Sequence, residues 1–572
     1  MAHEPAPATP ARNPIRFEGR APARPSPAFR LPSGHTPVTL AALMLALLVA
    51  LPLLSLALSL TQSGSGSIDH LMRTILPEAM LNTLGLLVLV GGGCVMLGVA
   101  TAWTVTAFRF AGSTALHWLL LLPMAMPAYI IGYAYTDALT FAGPVQTGLR
   151  ETFGWSRGDY WFPDIHNLGG VSVMLTLVLY PYVYMLARAA FVEQSACIID
   201  ASRTLGGGMG ESFRRIALPL ARPAIAAGTA LALMETLADF GTVQYFGVNT
   251  FTTLIYRTWF GMGDRIAAAQ LSIGLLCFVM ALVALEQHSR GQRRYGRTSR
   301  RERVLGARQL RGWRAALAFG MCFLPVLLGF IVPVLILLNL HAQGGDPFFG
   351  SRFLTYAGNS FVLASLGAVI IVAAGALLAY ALRVSRSDAV RGAVRFATLG
   401  YAIPGTVVAV GVLLPLGLFD NALDRLMRDS FGISTGLLLS GTLVALLFAY
   451  LVRFLAIATG GIEAGYARIG MSIDHAARTL GSSQSSVAQR IHVPMLRRSL
   501  ITAALVVFVD VMKELPATLI VRPFNFDTLA VRVYQLASDE RLAQSSTAAL
   551  AIVAIGIVPV LMLTRAMRQG RN

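Results

Sequence analysis

The chain has 572 residues, is 55% hydrophobic and only 13% charged, and has a mean hydropathy of +0.64. Soluble domains carry about 25% charged residues, and water-facing domains of this total size could not hide so much apolar side chain. Runs of about 20 apolar residues, the length a bilayer requires, recur throughout, so composition excludes a soluble protein and implies an all-α polytopic membrane protein.

The net charge of +18 would fit nucleic acid, but Lys513 is the one lysine and the arginines are spread between apolar runs. Cys94, Cys197, Cys277 and Cys322 are scattered without a CxxC pair, so neither a disulfide framework nor a zinc site is expected. A Walker A loop needs Gly-Lys-Ser/Thr, whereas Lys513 stands between Met512 and Glu514. HExxH and GxSxG are also missing from the sequence, so the chain is expected not to be an enzyme and to lack a nucleotide site.

In chain order, residues 1–37 are rich in Pro, Ala and Arg and read as a disordered tail. Twelve transmembrane helices are predicted near 38–60, 80–107, 115–138, 171–190, 224–246, 266–286, 315–340, 358–382, 394–418, 433–457, 499–520 and 544–566. With these spans, 34 arginines fall on the side of the N terminus and 11 on the other. The positive-inside rule then places both termini in the cytoplasm. Residues 287–314 form a basic cytosolic linker, better suited to anionic membrane lipid than to nucleic acid. Residues 567–572 are a short tail.

The linker separates a first domain, 38–286, from a second, 315–566. ASRTLG at 201–206 returns as AARTLG at 476–481. At the same offset Arg215, Ile216, Pro219 and Asp239 match Arg490, Ile491, Pro494 and Glu514, while Asn82 and Pro127 match Asn359 and Pro404 two residues further on. Both six-helix halves start from the same side, so the repeat is parallel, with a pseudo-two-fold axis along the membrane normal. Within each half a cytosolic loop, 193–223 or 463–498, holds a short helix ending at Gly206 or Gly481, a small-residue turn, and a second helix ending at proline. Glycine just past a helix C-terminus permits a left-handed turn. Such a hairpin is a rigid knob able to receive a push from a cytosolic partner.

These hairpins resemble the E-A-A-x-x-x-G … I-x-L-P motif of ATP-binding-cassette (ABC) importer permeases. The first copy supplies Asp200, Ala201, Gly206, Ile216 and Pro219; the second supplies His475, Ala476, Ala477, Gly481, Ile491 and Pro494. The second copy departs at the acidic position, where His475 stands, and at Val493 in place of leucine. The resemblance implies a type I importer fold with two fused permease domains. It also implies coupling helices docked on two copies of a separate ATP-binding subunit, which would hold the ATP and Mg; no cofactor is implied for this chain.

The span after each loop carries a pair of acids four residues apart, Glu235 with Asp239 and Asp510 with Glu514. That spacing puts both carboxylates on one helix face. Acids at membrane depth are normally turned toward a cavity or a partner, and oxygen ligands suit hard cations. The four can line a translocation pathway, or they can be structural, with Lys513 as a partner. Tyr129, Tyr133, Tyr180, Tyr182 and Tyr184 can ligate iron as phenolates or can be interfacial belt residues. Pro123, Pro127 and Pro404 are expected to kink helices, and His166 to lie in a solvated loop.

ETLADFGTVQYFG at 235–247, with residues 251–264 and 513–543, resembles ferric-iron importer permeases of bacterial inner membranes. That resemblance implies Fe(III) as transported substrate, delivered by a periplasmic iron-binding protein. It also makes Phe251–Asp264 and Phe526–Arg541 receptor-facing loops. Fused thiamine permeases share the architecture and the hairpin motif, and an ion-driven secondary transporter would use the same acids as proton or sodium sites.

Overall fold

The computed structural model describes residues 36–62, 67–193, 208–290, 308–347, 350–385 and 387–569. Their regular structure is helical, apart from a two-residue parallel pair that joins Phe108–Arg109 to Arg308–Gln309. Among the described residues ten helices are long and apolar enough to cross a membrane, or eleven if Ser113–Ala125 and Ala128–Phe153, bent by 89°, form one span. The remaining position of the twelve-helix order is held by Val493–Lys513, which carries Arg497, Arg498, Asp510 and Lys513. The tail at 1–35 and linker residues 291–307 lie outside the described residues.

Close backbone approaches repeat between the halves. A β-carbon on Gly98 would lie 2.7 Å from Val183 Cβ, and one on Gly375 would lie 2.9 Å from Ala458 Cβ. The same two helices therefore meet at equivalent glycines in each half, Leu76–Ala107 with Leu168–Glu193 and Ser351–Val384 with Leu443–Tyr466. Small residues let helices pack this closely in lipid, where apolar burial gives little drive to associate.

The halves are not independent bodies. The first span of each crosses to the other half, so the domain boundary drawn at the linker cuts through the packing. Thr36–Ser59 lies on Gly405–Phe431, where Ser55 Oγ donates to the Gly411 carbonyl at 2.8 Å. The arm spanning Trp313–Gly344 lies on the first half, where the Tyr135 hydroxyl donates to the Leu328 carbonyl at 2.7 Å. A β-carbon at Gly411 would meet Pro52 O at 2.9 Å, and one at Gly329 would meet Leu177 O at 2.7 Å.

Prolines account for several departures from the expected helices. The second helix of each hairpin runs on through Pro219 or Pro494 instead of ending there. Ahead of each lies a π-turn, Phe213–Ala217 or Ala488–His492, in which the N–H of Leu218 or Val493 reaches back five residues. Leu327–Ile331 precedes Pro333 in the same way. A proline inside an α-helix removes one hydrogen bond and clashes with the preceding turn at about 3 kcal/mol. Widening that turn absorbs the clash.

At Pro127 and Pro404 the chain instead breaks, after 3-10 turns Leu122–Ala125 and Thr398–Ala402. The expected span 115–138 is thus a bent pair. The expected span 433–457 lies at Leu443–Tyr466, which moves Arg453 from the cytosolic arginine count into the bundle, 9% exposed.

Candidate functional site

Both acid-bearing helices stop at the second acid of the pair. Leu218–Ala238 gives way to extended backbone at Asp239, ψ 133°, and Val493–Lys513 does so at Glu514, ψ 125°. Short helices Gly241–Tyr245 and Pro516–Val521 follow at once. The expectation that each pair shares a continuous helix face is therefore corrected. Only Glu235 and Asp510 lie within their helices.

The second acids cap the short helices. Asp239 Oδ1 accepts from the backbone N–H groups of Thr242 and Val243 at 3.1 Å, and its Oδ2 from the Thr242 hydroxyl at 2.9 Å. Glu514 accepts from Ala517 N and Thr518 N, both at 2.9 Å, and from the Thr518 hydroxyl. A helix N-terminus leaves several N–H groups without intrahelical partners, and an anion there also meets the positive end of the helix dipole. Capping of this kind contributes about 1 kcal/mol. Glu514 carries one load its mate lacks: Arg453 Nη1 lies 3.0 Å from Oε1, with side chains 11% and 2% exposed. At the 275-residue offset the position of Arg453 is held by Val178.

Glu235 and Asp510 have other partners. The Tyr401 hydroxyl donates to Glu235 Oε1 at 2.9 Å, and Lys513 Nζ lies 2.8 Å from Asp510 Oδ1. All four acids border one cavity of about 140 Å³, together with Tyr129, Tyr182, Tyr401, Arg453 and Lys513. Both halves contribute, so the cavity straddles the pseudo-two-fold axis. Counting charges on its wall, four carboxylates face two cations.

The tyrosines divide by position. The hydroxyls of Tyr180 and Tyr184 donate to the carbonyls of Leu120 and His117, both at 3.0 Å, and hold helices together. Tyr133 is buried against Tyr129 and Tyr245. Tyr129 and Tyr182 reach the cavity wall, so the belt reading is corrected for this group. His166 is half-exposed beside Asp164. Sequence reasoning missed Tyr401 and Arg453, because their repeat positions hold Met124 and Val178 and symmetry could not flag them.

The first helix and the glycine turn of the second hairpin take their predicted form, whereas its second helix continues through Pro494. Met471–Thr479 ends at Gly481, φ 78°, with Ser482 N bonded to Ala477 O at 3.0 Å. His475 and Ala476 are exposed, Ala477 is buried, and Leu480 is 84% exposed at the tip. Ile491 lies in the π-turn and Pro494 at the start of the span. Asp474, one residue before the motif, ties the hairpin to the bundle. It accepts from Arg383 Nε at 3.0 Å and pairs with His492 Nε2 at 2.9 Å. Arg383 also donates to the Tyr466 and Ile469 carbonyls. Burial pushes the Asp474 carboxyl up, but hydrogen bonds and charge from Arg383 and His492 outweigh it and hold the group below its ordinary range. In the first hairpin, Ile216 and Pro219 occupy positions equivalent to Ile491 and Pro494. Asp200, Ala201 and Gly206 lie outside the described residues, as does Cys197.

The segments expected to face a receptor are largely inside. Phe251 to Ile255 are buried in a short helix with a Thr250–Thr253 capping box, and Leu529, Ala530, Val531 and Val533 are buried in Leu529–Ser538. Their ends emerge, with Phe260 at 51% and Phe524 at 94% exposed. Asn82 and its repeat mate Asn359 hold these segments, donating to the Asn249 and Asp527 carbonyls, each at 3.0 Å.

Residues 94–287 match the family described as binding-protein-dependent transport system inner membrane component. Across 537 residues, 92% of this chain and 98% of the relative, the sequence is 26% identical to the Fe(3+)-transport system permease protein FbpB 2 of Haemophilus influenzae. It is 24% identical over 448 residues to the ferric transport system permease protein FbpB of Actinobacillus pleuropneumoniae, covering 73% of this chain and 60% of that one. A shorter match, 27% identical over 194 residues, covers 33% of this chain and 81% of the molybdenum transport system permease protein ModB of Escherichia coli. Bundle and sequence agree on a multi-pass membrane permease, which over residues 94–287 is similar to the binding-protein-dependent transport system inner membrane component family.

Proposed function

We propose that this chain is the fused permease subunit of an ABC importer that moves Fe(III) from a periplasmic binding protein into the cytoplasm of a bacterium. The observation that carries the reading is the acid-lined cavity on the pseudo-two-fold axis, built from broken helices of both halves. Two relatives matched over most of this chain are named as ferric permeases. Glu235, Asp239, Asp510 and Glu514 give the pathway wall its negative balance, and a trivalent cation is the substrate that such a wall favours most.

On this reading both termini are cytoplasmic and the chain, lacking a Walker A loop, hydrolyses nothing itself. Two copies of an ATP-binding subunit dock on the hairpins, with exposed Leu480 as an apolar anchor and Gly481 shaping the tip. The Asp474–Arg383–His492 tie passes their closing motion into Ser351–Val384 and Val493–Lys513. The swapped first arms then oblige the two halves to move together. The loaded receptor docks on the opposite face.

Radioiron uptake in cells lacking other iron importers, with and without this chain and with excess unlabelled thiamine, tests the substrate. Uptake that needs the chain and ignores thiamine supports Fe(III). Uptake indifferent to the chain overturns it.

A further inference from the structure

We infer that the cavity holds a transit site for a hard trivalent cation, built by the Tyr182 and Tyr401 phenols with the Glu235 and Asp510 carboxylates; the inference rests on the iron reading above. Each half supplies one phenol and one carboxylate, so the site forms where the halves meet. The Tyr182 and Tyr401 side chains border the same cavity, and the Tyr401 hydroxyl donates to Glu235 Oε1 at 2.9 Å. Asp510 faces the same cluster and is held by Lys513 at 2.8 Å.

Carboxylates alone do not make this site. Among the described residues no three His, Cys, Asp or Glu side chains converge in a way that could hold a metal. Phenol oxygens complete the set, and hard cations prefer such all-oxygen surroundings. A second observation points to a ligand. Tyr129 borders the same cavity and is 5% exposed, yet its buried hydroxyl has no hydrogen-bond partner. A buried polar group without a partner costs about 1–3 kcal/mol, and an occupant with its own water or hydroxide would relieve that.

The two caps differ from the transit pair in what they can release. Asp239 and Glu514 are committed to backbone N–H groups, whereas Glu235 and Asp510 are held only by side chains that can swing away. Lys513 neutralises Asp510 when the cavity is empty. An arriving cation competes for that carboxylate and displaces the ammonium, and each phenolate formed releases one proton to cavity water. The lysine is then a counter-charge that favours onward release.

Purified permease with its ATPase in lipid nanodiscs, given Fe(III)–nitrilotriacetate, provides the test by visible absorption. Wild-type protein and Tyr180→Phe, whose hydroxyl lies outside the cavity, should both develop a phenolate-to-iron charge-transfer band. Tyr182→Phe with Tyr401→Phe should lose the band, and radioiron uptake by cells carrying it and lacking other iron importers should fall by about tenfold or more, while the purified variant still elutes as an assembled complex. Wild-type uptake without a band, or a band and uptake that survive both substitutions, overturns the site and leaves the iron reading intact. A wild-type complex that takes up no iron overturns both.

Discussion

Glu514→Gln and Asp239→Asn are the same change at symmetry-related positions, and their costs should differ. Glu514 Oε1 accepts from Arg453 Nη1 at 3.0 Å and Ala517 N at 2.9 Å, while Oε2 accepts from Thr518 N at 2.9 Å. Glutamine keeps one acceptor oxygen. Its NH₂ cannot accept from the buried Thr518 N–H, and Arg453 loses its counter-charge in a site where the Glu514 side chain is 2% exposed. Breaking a buried ion pair from one side costs about 3–5 kcal/mol. Asparagine at 239 can leave Oδ1 on both N–H groups and donate Nδ2–H to the Thr242 hydroxyl, which can turn to accept. With no arginine involved, the cost should be about 1 kcal/mol. Thermal unfolding in nanodiscs, followed by helical circular dichroism, should rank Glu514→Gln well below Asp239→Asn. Adding Arg453→Met to Glu514→Gln should restore most of the loss, because replacing both partners removes the unpaired charge. Equal losses at the two positions, or no recovery in the double variant, would refute the reasoning.

Other outcomes follow from the same geometry. Leu480→Asp places a charge on the exposed hairpin tip and should abolish co-purification of the ATPase while leaving the unfolding temperature of the isolated permease unchanged; retained binding would sink the docking role. Gly481→Val forces a side chain into a left-handed backbone at about 1–2 kcal/mol, and should weaken ATPase binding in the same pull-down. Because the folded Asp474 carboxyl is held below its ordinary value, its stabilisation is complete above about pH 4 and is lost as pH falls through that depressed value. Hydrogen exchange across 471–479, corrected for intrinsic rates, should therefore rise as pH falls from about 5 into stronger acid; exchange that stays flat over that fall would contradict the tie. Gly411→Val would drive a β-carbon to within 2.9 Å of Pro52 O, and should loosen the first arm, read as faster proteolysis near residue 60.

Much of this fold is legible in the sequence because lipid simplifies the signal. Apolar runs mark spans, and the offset between ASRTLG and AARTLG marks the repeat. Gly481 adopts the left-handed turn its position predicts. Helix breaks were harder to see. Asp239 and Glu514 sit inside apolar runs that read as continuous helices, and only the following backbone N–H groups reveal them as caps. Pro219 and Pro494 mislead in the opposite sense, since a π-turn lets the helix continue. The arm exchange leaves no local trace at all, because lipid-facing and partner-facing apolar residues look alike. Symmetry guided the eye to four acids and away from Arg453 and Tyr401, whose repeat mates are apolar. For the same reason Glu514 is a poor position at which to probe transport, and Glu235 with Asp510 are the informative pair.

Transport by the reconstituted complex tests the central claim most directly. Proteoliposomes holding the chain with its ATPase, ATP inside and the radioiron-loaded binding protein outside, should accumulate iron only when all three are present. Glu235→Gln with Asp510→Asn should remove most of that accumulation while the complex stays assembled. Accumulation without ATP, or at the wild-type rate in the double variant, would contradict an ATP-driven pathway through the acid-lined cavity.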